Sequence, residues 1–403
     1  MKTQQLKPIT LPKTFCSVAW EDIELYFDRR QAKFCCRTNT NFNFPTPLTS
    51  EFLNSHIEVE ERRADLLSGL RHSHCEYCWK NEDTHGSSYR TMMSINDAFP
   101  IIFQHNHSNK KIIKLHFDNT CNQSCLYCSE NFSSLHADEK GIKLIQKRYN
   151  EEDFDAVISW LESRPIIEEL TLAILGGEPT ISKGWNVFYE KLICSKKLID
   201  RIIRFNFTTN VNYTDKIWEK NVLPLIESKK TPKWQWMFSV SNESTGEICE
   251  NVRYGLKWET FKTNFEKLVK LKCSNFTRIH LSMTPNIFTL KDTYNYVDYV
   301  FSVLESYNTN ISVILGYNWV DWPNILSIKN LSKDFSDILY KCHARVRNTS
   351  VNVVYGHDYF LKLNDMLGSQ TIDLKLLDSW LHSQNKFKSG KLNIGLLKSQ
   401  LVV

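Results

Sequence analysis

No stretch of this 403-residue chain is apolar for long enough to cross a membrane, and Met1 to Leu6 lack the apolar core of a secretion signal. The chain also lacks a large excess of charge of either sign, since the formal net charge is +5. Long basic runs are absent as well, and both features argue against a nucleic-acid partner. Hydrophobic residues make up 42% and aromatic residues 12% of the chain, which excludes a mainly disordered protein. We therefore expect a cytoplasmic protein that binds neither membrane nor nucleic acid.

Cysteine, in contrast, is abundant, with 12 residues. In a chain without an export signal, so many cysteines predict metal ligands or reduced thiols and argue against a disulfide framework. Most of them lie before residue 130, in two groups. Four others are scattered singly, where a small buried thiol without a role is the expected state; these are Cys194, Cys249, Cys273 and Cys342.

The second group is Cys121, Cys125 and Cys128, directly after the apolar run from Ile112 to Phe117. Three closely spaced thiolates can hold three irons of a cubane cluster and leave the fourth iron open to a substrate or cofactor. A zinc site is the alternative, but it needs a fourth ligand, for which His136 is the local candidate.

A second motif follows about fifty residues later. The apolar run from Leu170 to Leu175 predicts a buried parallel strand, and it ends in Gly176-Gly177-Glu178-Pro179. The glycines permit a close approach of the backbone to a ligand, and the proline fixes the exit of the chain. By itself this pattern is that of an ordinary turn at a strand end.

Together, the two motifs resemble the signature of the radical S-adenosylmethionine (SAM) superfamily. The resemblance implies a 4Fe-4S cluster on Cys121, Cys125 and Cys128 that binds SAM and cleaves it reductively, so that a deoxyadenosyl radical abstracts hydrogen from a substrate. It implies that Gly176, Gly177, Glu178 and Pro179 receive the amino group of SAM. A flavodoxin- or ferredoxin-like protein is the implied electron donor.

Strand-like and helix-like segments alternate from Ile112 onward, which predicts a parallel sheet with crossover helices. The resemblance implies an α/β fold with a partial (β/α)6 TIM-like barrel over residues 110–320, a small N-terminal cysteine-rich β-hairpin module over residues 1–109 and a C-terminal helical extension over residues 321–403. The predicted strands are Ile112–Phe117, Leu170–Leu175, Ile202–Thr208, Trp234–Val240, Arg278–Met283 and Ile311–Tyr317.

Polar residues follow several of these strands, at the edge where barrel enzymes place their sites. In the family, such positions contact SAM, which implies roles for Asn210, Ser239 and Ser241 with its ribose or carboxylate, for Arg253 with a carboxylate, for Thr284 near the adenosyl group and for Tyr127 against the adenine. Turn or capping roles, and a surface position for the arginine, are the alternatives.

The first cysteine group comprises Cys16, Cys35, Cys36, Cys75 and Cys78, enough for a closed zinc site or a fully ligated iron–sulfur cluster. It resembles the SPASM/twitch module, which implies that four of the five hold a second 4Fe-4S cluster. The order departs from the family, because that module normally follows the barrel. A zinc ribbon is the alternative.

Relatives with such modules most often modify peptides or proteins, so a polypeptide substrate is expected by analogy. A small molecule or nucleotide substrate is a second hypothesis, and a zinc-stabilised binding module without turnover is a third.

Overall fold

The computed structural model describes residues 11–86, 88–94, 112–142, 149–165, 169–271, 273–316, 318–320 and 322–402. Residues 95–111 of the predicted N-terminal module and barrel, and the predicted strand end at Tyr317, lie outside the described residues. The strands are β1 (Asp22–Tyr26), β2 (Gln31–Lys33), β3 (Phe42–Asn43), β4 (Ile112–His116), β5 (Leu170–Leu175), β6 (Ile203–Thr209), β7 (Trp234–Val240), β8 (Phe276–Leu281), β9 (Ser312–Leu315) and β10 (Val353–Tyr355).

The ten strands form one sheet in the order β10-β9-β8-β7-β6-β5-β4-β1-β2-β3. The pairs β1–β4, β7–β8, β8–β9 and β9–β10 are parallel, whereas β1–β2 and β2–β3 are antiparallel. The predicted α/β class is therefore confirmed, and all six predicted strands are present, β5 and β7 with the predicted bounds and the other four with ends shifted by one or two residues. The β1–β2 hairpin is also present, and its first strand joins the larger sheet beside β4.

Helices separate the strands from β4 onward. Several begin at a side chain that accepts a hydrogen bond from the first turn, as Asn150, Asp373 and Asn393 do. The helices are α1 (Val18–Glu21), α2 (Ser50–Asn54), α3 (Ile57–Leu67), α4 (Glu76–His85), α5 (Tyr89–Ser94), α6 (Ser134–Glu139), α7 (Glu151–Ser163), α8 (Lys183–Cys194), α9 (Lys196–Ile199), α10 (Asp215–Ile217), α11 (Leu223–Ile226), α12 (Gly246–Val252), α13 (Trp258–Lys270), α14 (Thr293–Ser306), α15 (Ser336–Arg347), α16 (Tyr359–Met366), α17 (Leu374–Phe387) and α18 (Ile394–Ser399). In the described part of the chain, no helix combines the length and the apolar character that a membrane span requires.

Alternation of buried and exposed side chains explains why the central segments are strands. In β7, Trp234, Trp236 and Phe238 are fully buried, while Gln235 between the first two is exposed. A period of two places the aromatic side chains on one face of the sheet, where they pack against covering residues. The rings of Phe205 on β6 and Trp236 stack with centroids 4.2 Å apart.

The chain divides into two compact units. The first comprises residues 1–116, 147–173 and 188–203, and Phe27 packs edge-on against Phe154 in its core. The second comprises residues 117–146, 174–187 and 204–403, and its core includes the stacked pair of β6 and β7. The predicted bounds of the three modules stay a prediction, because each compact unit combines several separate segments of the chain and the units do not follow the predicted bounds.

Candidate functional site

The cysteine loop, Cys121 to Cys128, follows β4 and has no regular secondary structure. Its backbone therefore needs partners elsewhere. The Ser124 amide donates to the carbonyl of Tyr254 at 2.8 Å, and the Leu126 amide donates to that of Val252 at 2.8 Å. The loop is thus paired with the chain that follows α12.

The glycine turn after β5 lies against the start of this loop. The Gly177 amide donates to the Asp118 carbonyl at 3.3 Å, and the Glu178 amide donates to the Thr120 carbonyl at 2.7 Å. A Cβ atom on Gly177 would lie 2.2 Å from the Thr120 carbonyl oxygen, closer than any side chain tolerates. Glycine is required here because two backbones touch. The two sequence motifs are therefore neighbours in space.

Glu178 joins the ends of β5 and β6. Its Oε1 accepts hydrogen bonds from the hydroxyls of Thr180 at 2.7 Å and Thr209 at 2.9 Å, and its Oε2 accepts from the Asn210 amide at 2.7 Å. The side chain is 1% exposed. Burial raises the pKa of this carboxyl, although the hydrogen bonds from Asn210, Thr180 and Thr209 oppose that effect.

These elements surround a pocket of about 410 Å³ within the second unit. Sequence-predicted residues make up much of its lining, and they come from separate strand ends as expected for a site at one edge of a parallel sheet. They are Cys121, Cys125, Tyr127, Cys128, Gly176, Gly177, Glu178, Asn210, Ser241 and Arg253. Residues that the sequence did not single out complete it: Gln123, Ser129, Phe132, Thr208, Thr209 and Trp322.

Burial controls the state of the three thiols. It raises the pKa of Cys125 to about 12, partly offset by the charge of Arg253, and it raises the pKa values of Cys121 and Cys128. The thiols are therefore protonated at neutral pH, and a metal ion that binds them must displace those protons.

Gln123 supports an iron–sulfur cluster as the group that fits this loop. Its side chain is 1% exposed, and its Nε2 has no hydrogen-bond partner. The Cys125 thiol donates to Oε1 of the same amide at 3.6 Å, so the amide group lies next to this sulfur. A buried donor without a partner costs free energy, and cluster sulfurs are acceptors that would satisfy it.

His136, the candidate fourth ligand of a zinc site, lies on α6 and is buried. Burial, together with the charges of Lys140 and Lys388, lowers its pKa to about 4. As the side chains stand, no group of three or more His, Cys, Asp or Glu residues in the described ranges is arranged to hold a metal ion.

Arg253 and Tyr127 share one buried carboxylate. The Arg253 guanidinium donates through Nη2 and Nε to Oε2 of Glu243, at 2.6 and 3.1 Å, and the Tyr127 hydroxyl donates to Oε1 at 2.9 Å. Nη1 of Arg253 makes no hydrogen bond within the described part of the chain. The ion pair with Glu243 therefore holds Arg253 at the pocket wall and leaves its Nη1 available as a hydrogen-bond donor.

Three predicted contacts of SAM do not line this pocket. Pro179 begins a buried 3-10 turn, and the carbonyl of Thr284 accepts from Asn286. The Ser239 hydroxyl lies inside β7, within 2.5 Å of Asn206 Oδ1 and 2.7 Å of His280 Nδ1. Ser239 is thus engaged by the neighbouring strands β6 and β8.

The N-terminal cysteines come together in the first unit. Cys35 and Cys75 pack against the apolar cluster that contains Cys16. Burial, together with the nearby sulfurs of Cys75 and Cys78, raises the pKa of Cys16 to about 12. Cys36 differs, because its amide donates to Asp22 at 3.2 Å and its thiol is hydrogen-bonded to the thiol of Cys35.

Two candidate functional residues, Lys388 and Glu243, were not identified from the sequence. Lys388, in the tail to which the sequence assigned no chemistry, reaches the cysteine loop and donates to the Ser124 carbonyl at 2.7 Å. Glu243 carries the Arg253 pair. A Ser-Asn-Glu segment after a strand is a weak signal for Glu243, and no local signal marks Lys388, because its partners are 264 positions away.

Comparisons of the chain with protein-family models, with curated proteins and with solved structures found no match.

Proposed function

We propose that this chain is a radical SAM enzyme. One observation carries the proposal: the three thiols of the cysteine loop and the Gly176-Gly177-Glu178 turn, far apart in sequence, line a single pocket with polar residues from two further strand ends. A zinc knuckle needs no such pocket, whereas an open iron that binds a cofactor does.

Each side of the pocket has a role in this proposal. Cys121, Cys125 and Cys128 hold a 4Fe-4S cluster, which supplies the electron for reductive cleavage of the SAM sulfonium to a deoxyadenosyl radical. The glycine turn offers backbone atoms to the amino group, and the free edge of Arg253 suits a carboxylate. Asn210 and Ser241 provide uncharged hydrogen-bonding groups suited to a ribose.

We also propose that β4 to β9 form a partial (β/α)6 barrel. The support is that these six strands are neighbours in sequential order and that helices lie between them along the chain. This arrangement brings the residues after β5, β6 and β7 to one edge, where they line the pocket.

The remaining assignments belong to the same proposal. The first cysteine group holds a second 4Fe-4S cluster, a flavodoxin- or ferredoxin-like protein supplies electrons, and the substrate is a peptide or protein. The location is cytoplasmic, where reductants keep thiols reduced, and all 12 cysteines are free in the structure.

Anaerobic reconstitution tests the function. Protein supplied with iron, sulfide, SAM and dithionite is expected to turn brown and release deoxyadenosine and methionine, measured by chromatography. The variant with alanine at Cys121, Cys125 and Cys128 is expected to form neither product, whereas Cys194→Ala, at an exposed thiol, retains activity. A colourless wild-type protein that holds only zinc would contradict the proposal and favour a binding module.

A further inference from the structure

Lys388 lies at the C-terminal end of α17 and is buried. It follows Phe387 as the helix cap, and its amide donates to the carbonyls of Gln384 and Lys386. Leu377 and Leu381 bury the inner face of the helix, so the position of the cap residue is fixed. The Lys388 side chain is 0% exposed.

The ammonium group ends inside the cysteine loop. It donates to the carbonyl and the hydroxyl of Ser124, at 2.7 and 2.6 Å, and to Oε2 of Glu139 at 2.9 Å. It also lies 4.7 Å from the centroid of the Tyr254 ring, on the segment that pairs with the loop. All three hydrogens of the ammonium therefore have acceptors.

A buried charge with three partners is costly to place and costly to remove. Ser124 immediately precedes Cys125 in the cysteine loop, so the two hydrogen bonds to its carbonyl and hydroxyl place the cation beside this cysteine. Glu139, the third partner, partly neutralises the charge.

We propose that Lys388 is a positioning residue: through it, helix α17 fixes the cysteine loop and places a positive charge beside Cys125. The first half of this inference concerns the loop alone, and the second half, tuning of the cluster, rests on the proposed function. A fixed cation stabilises the reduced cluster, because reduction adds negative charge.

Thiol alkylation of the full-length, metal-free protein tests the first half. In Lys388→Met, the rate at Cys125, measured by mass spectrometry and divided by the thiolate fraction of the same protein, is expected to rise about tenfold, the factor for loss of one charge-assisted hydrogen bond. Lys386→Met removes an exposed charge from the same helix and is expected to leave the rate unchanged. Equal rates in Lys388→Met and wild type would overturn the proposal.

The midpoint potential of the reconstituted cluster tests the second half. Lys388→Met is expected to lower it, and Glu139→Gln, which removes the counter-charge and keeps the lysine, is expected to raise it. Shifts of the same sign, or none, would overturn the tuning role, and Glu139→Gln decides the matter if Lys388→Met does not fold. Wild-type protein that binds zinc and no iron would instead refute the proposed function, while the alkylation rates still decide whether Lys388 holds the loop.

Discussion

Gly177 is the residue at which the glycine turn touches the cysteine loop. Gly177→Ala would place a Cβ atom 2.2 Å from the Thr120 carbonyl oxygen, so one backbone must move. We expect a loss of about 3 kcal/mol in the free energy of unfolding, the upper end of the range for overpacking. Urea denaturation measures it, and iron content after reconstitution is expected to fall with it.

Gly395 in α18 is the matched control. A Cβ atom there meets only Asn393 Oδ1, at an ordinary 3.7 Å. Because alanine favours helix over glycine, Gly395→Ala is expected to stabilise the protein by up to about 1 kcal/mol. If both variants had the same stability, the close contact at Gly177 would not be a real constraint.

The carboxylate of Glu243 yields a second prediction at the residue scale. Arg253→Met leaves this buried charge without its partner, and we expect a cost of about 3–5 kcal/mol. Tyr127→Phe removes one hydrogen bond to the same carboxylate and is expected to cost about 1–3 kcal/mol. Urea denaturation of both variants measures the two losses in the free energy of unfolding. A larger loss for Tyr127→Phe than for Arg253→Met would contradict the prediction.

Residues with a local signature were predictable from the sequence, whereas residues defined by distant partners were not. The spacing of the cysteines and the paired glycines marked both motifs, because ligand geometry and close backbone contact restrict residue choice locally. Glu243 and Lys388 acquire their roles only from tertiary neighbours. Cys194 shows the same limit, because it lies exposed where a buried thiol was expected.

Elements were predictable where burial alternates along the chain. The long strands β5 and β7 match their predicted bounds, since each contains several apolar residues in a compact run. β10 has only three residues, two of them exposed, and its Val-Val-Tyr run is too short to show an alternation of buried and exposed side chains. The parallel pairing of β1 with β4 also escaped prediction, because the choice of a strand partner depends on residues about 90 positions away.

That β1–β4 pair carries an ion pair that leads to a pH prediction. Nε2 of His116 on β4 lies 2.7 Å from Oε1 of Glu24 on β1. Burial alone would raise the pKa of Glu24, but His116 and Lys114 lower it from 4.5 to about 2. A lowered carboxyl pKa adds stability above pH 4.5, and this stability is lost as the pH falls towards 2.

Glu24→Gln is therefore expected to unfold more easily than wild type at pH 7, by about 3 kcal/mol. The difference is expected to shrink between pH 4.5 and pH 2, as the wild-type carboxyl takes up its proton. Urea denaturation at several pH values measures the difference, with Glu51→Gln, at an exposed position, as the control. A difference that does not depend on pH would show that the carboxylate is not stabilised by its charge.

At the scale of the whole molecule, the two cysteine groups belong to different compact units: Cys16, Cys35, Cys36, Cys75 and Cys78 to the first, and Cys121, Cys125 and Cys128 to the second. Each group has its own buried surroundings, so we expect each to bind its metal independently. Motif spacing predicted both groups, but only the fold shows that separate sets of elements bring the two sets of thiols together.

The variant with alanine at Cys75 and Cys78 is thus expected to lose about four irons per chain and to keep reductive cleavage of SAM. The variant with alanine at Cys125 and Cys128 is expected to lose about four irons as well, but to form no deoxyadenosine. Iron and sulfide analysis together with chromatography of the products distinguishes the two. If either pair of substitutions removed all the iron, the groups would depend on each other, and if the first pair removed zinc instead, the N-terminal group would be a zinc ribbon beside a single cluster.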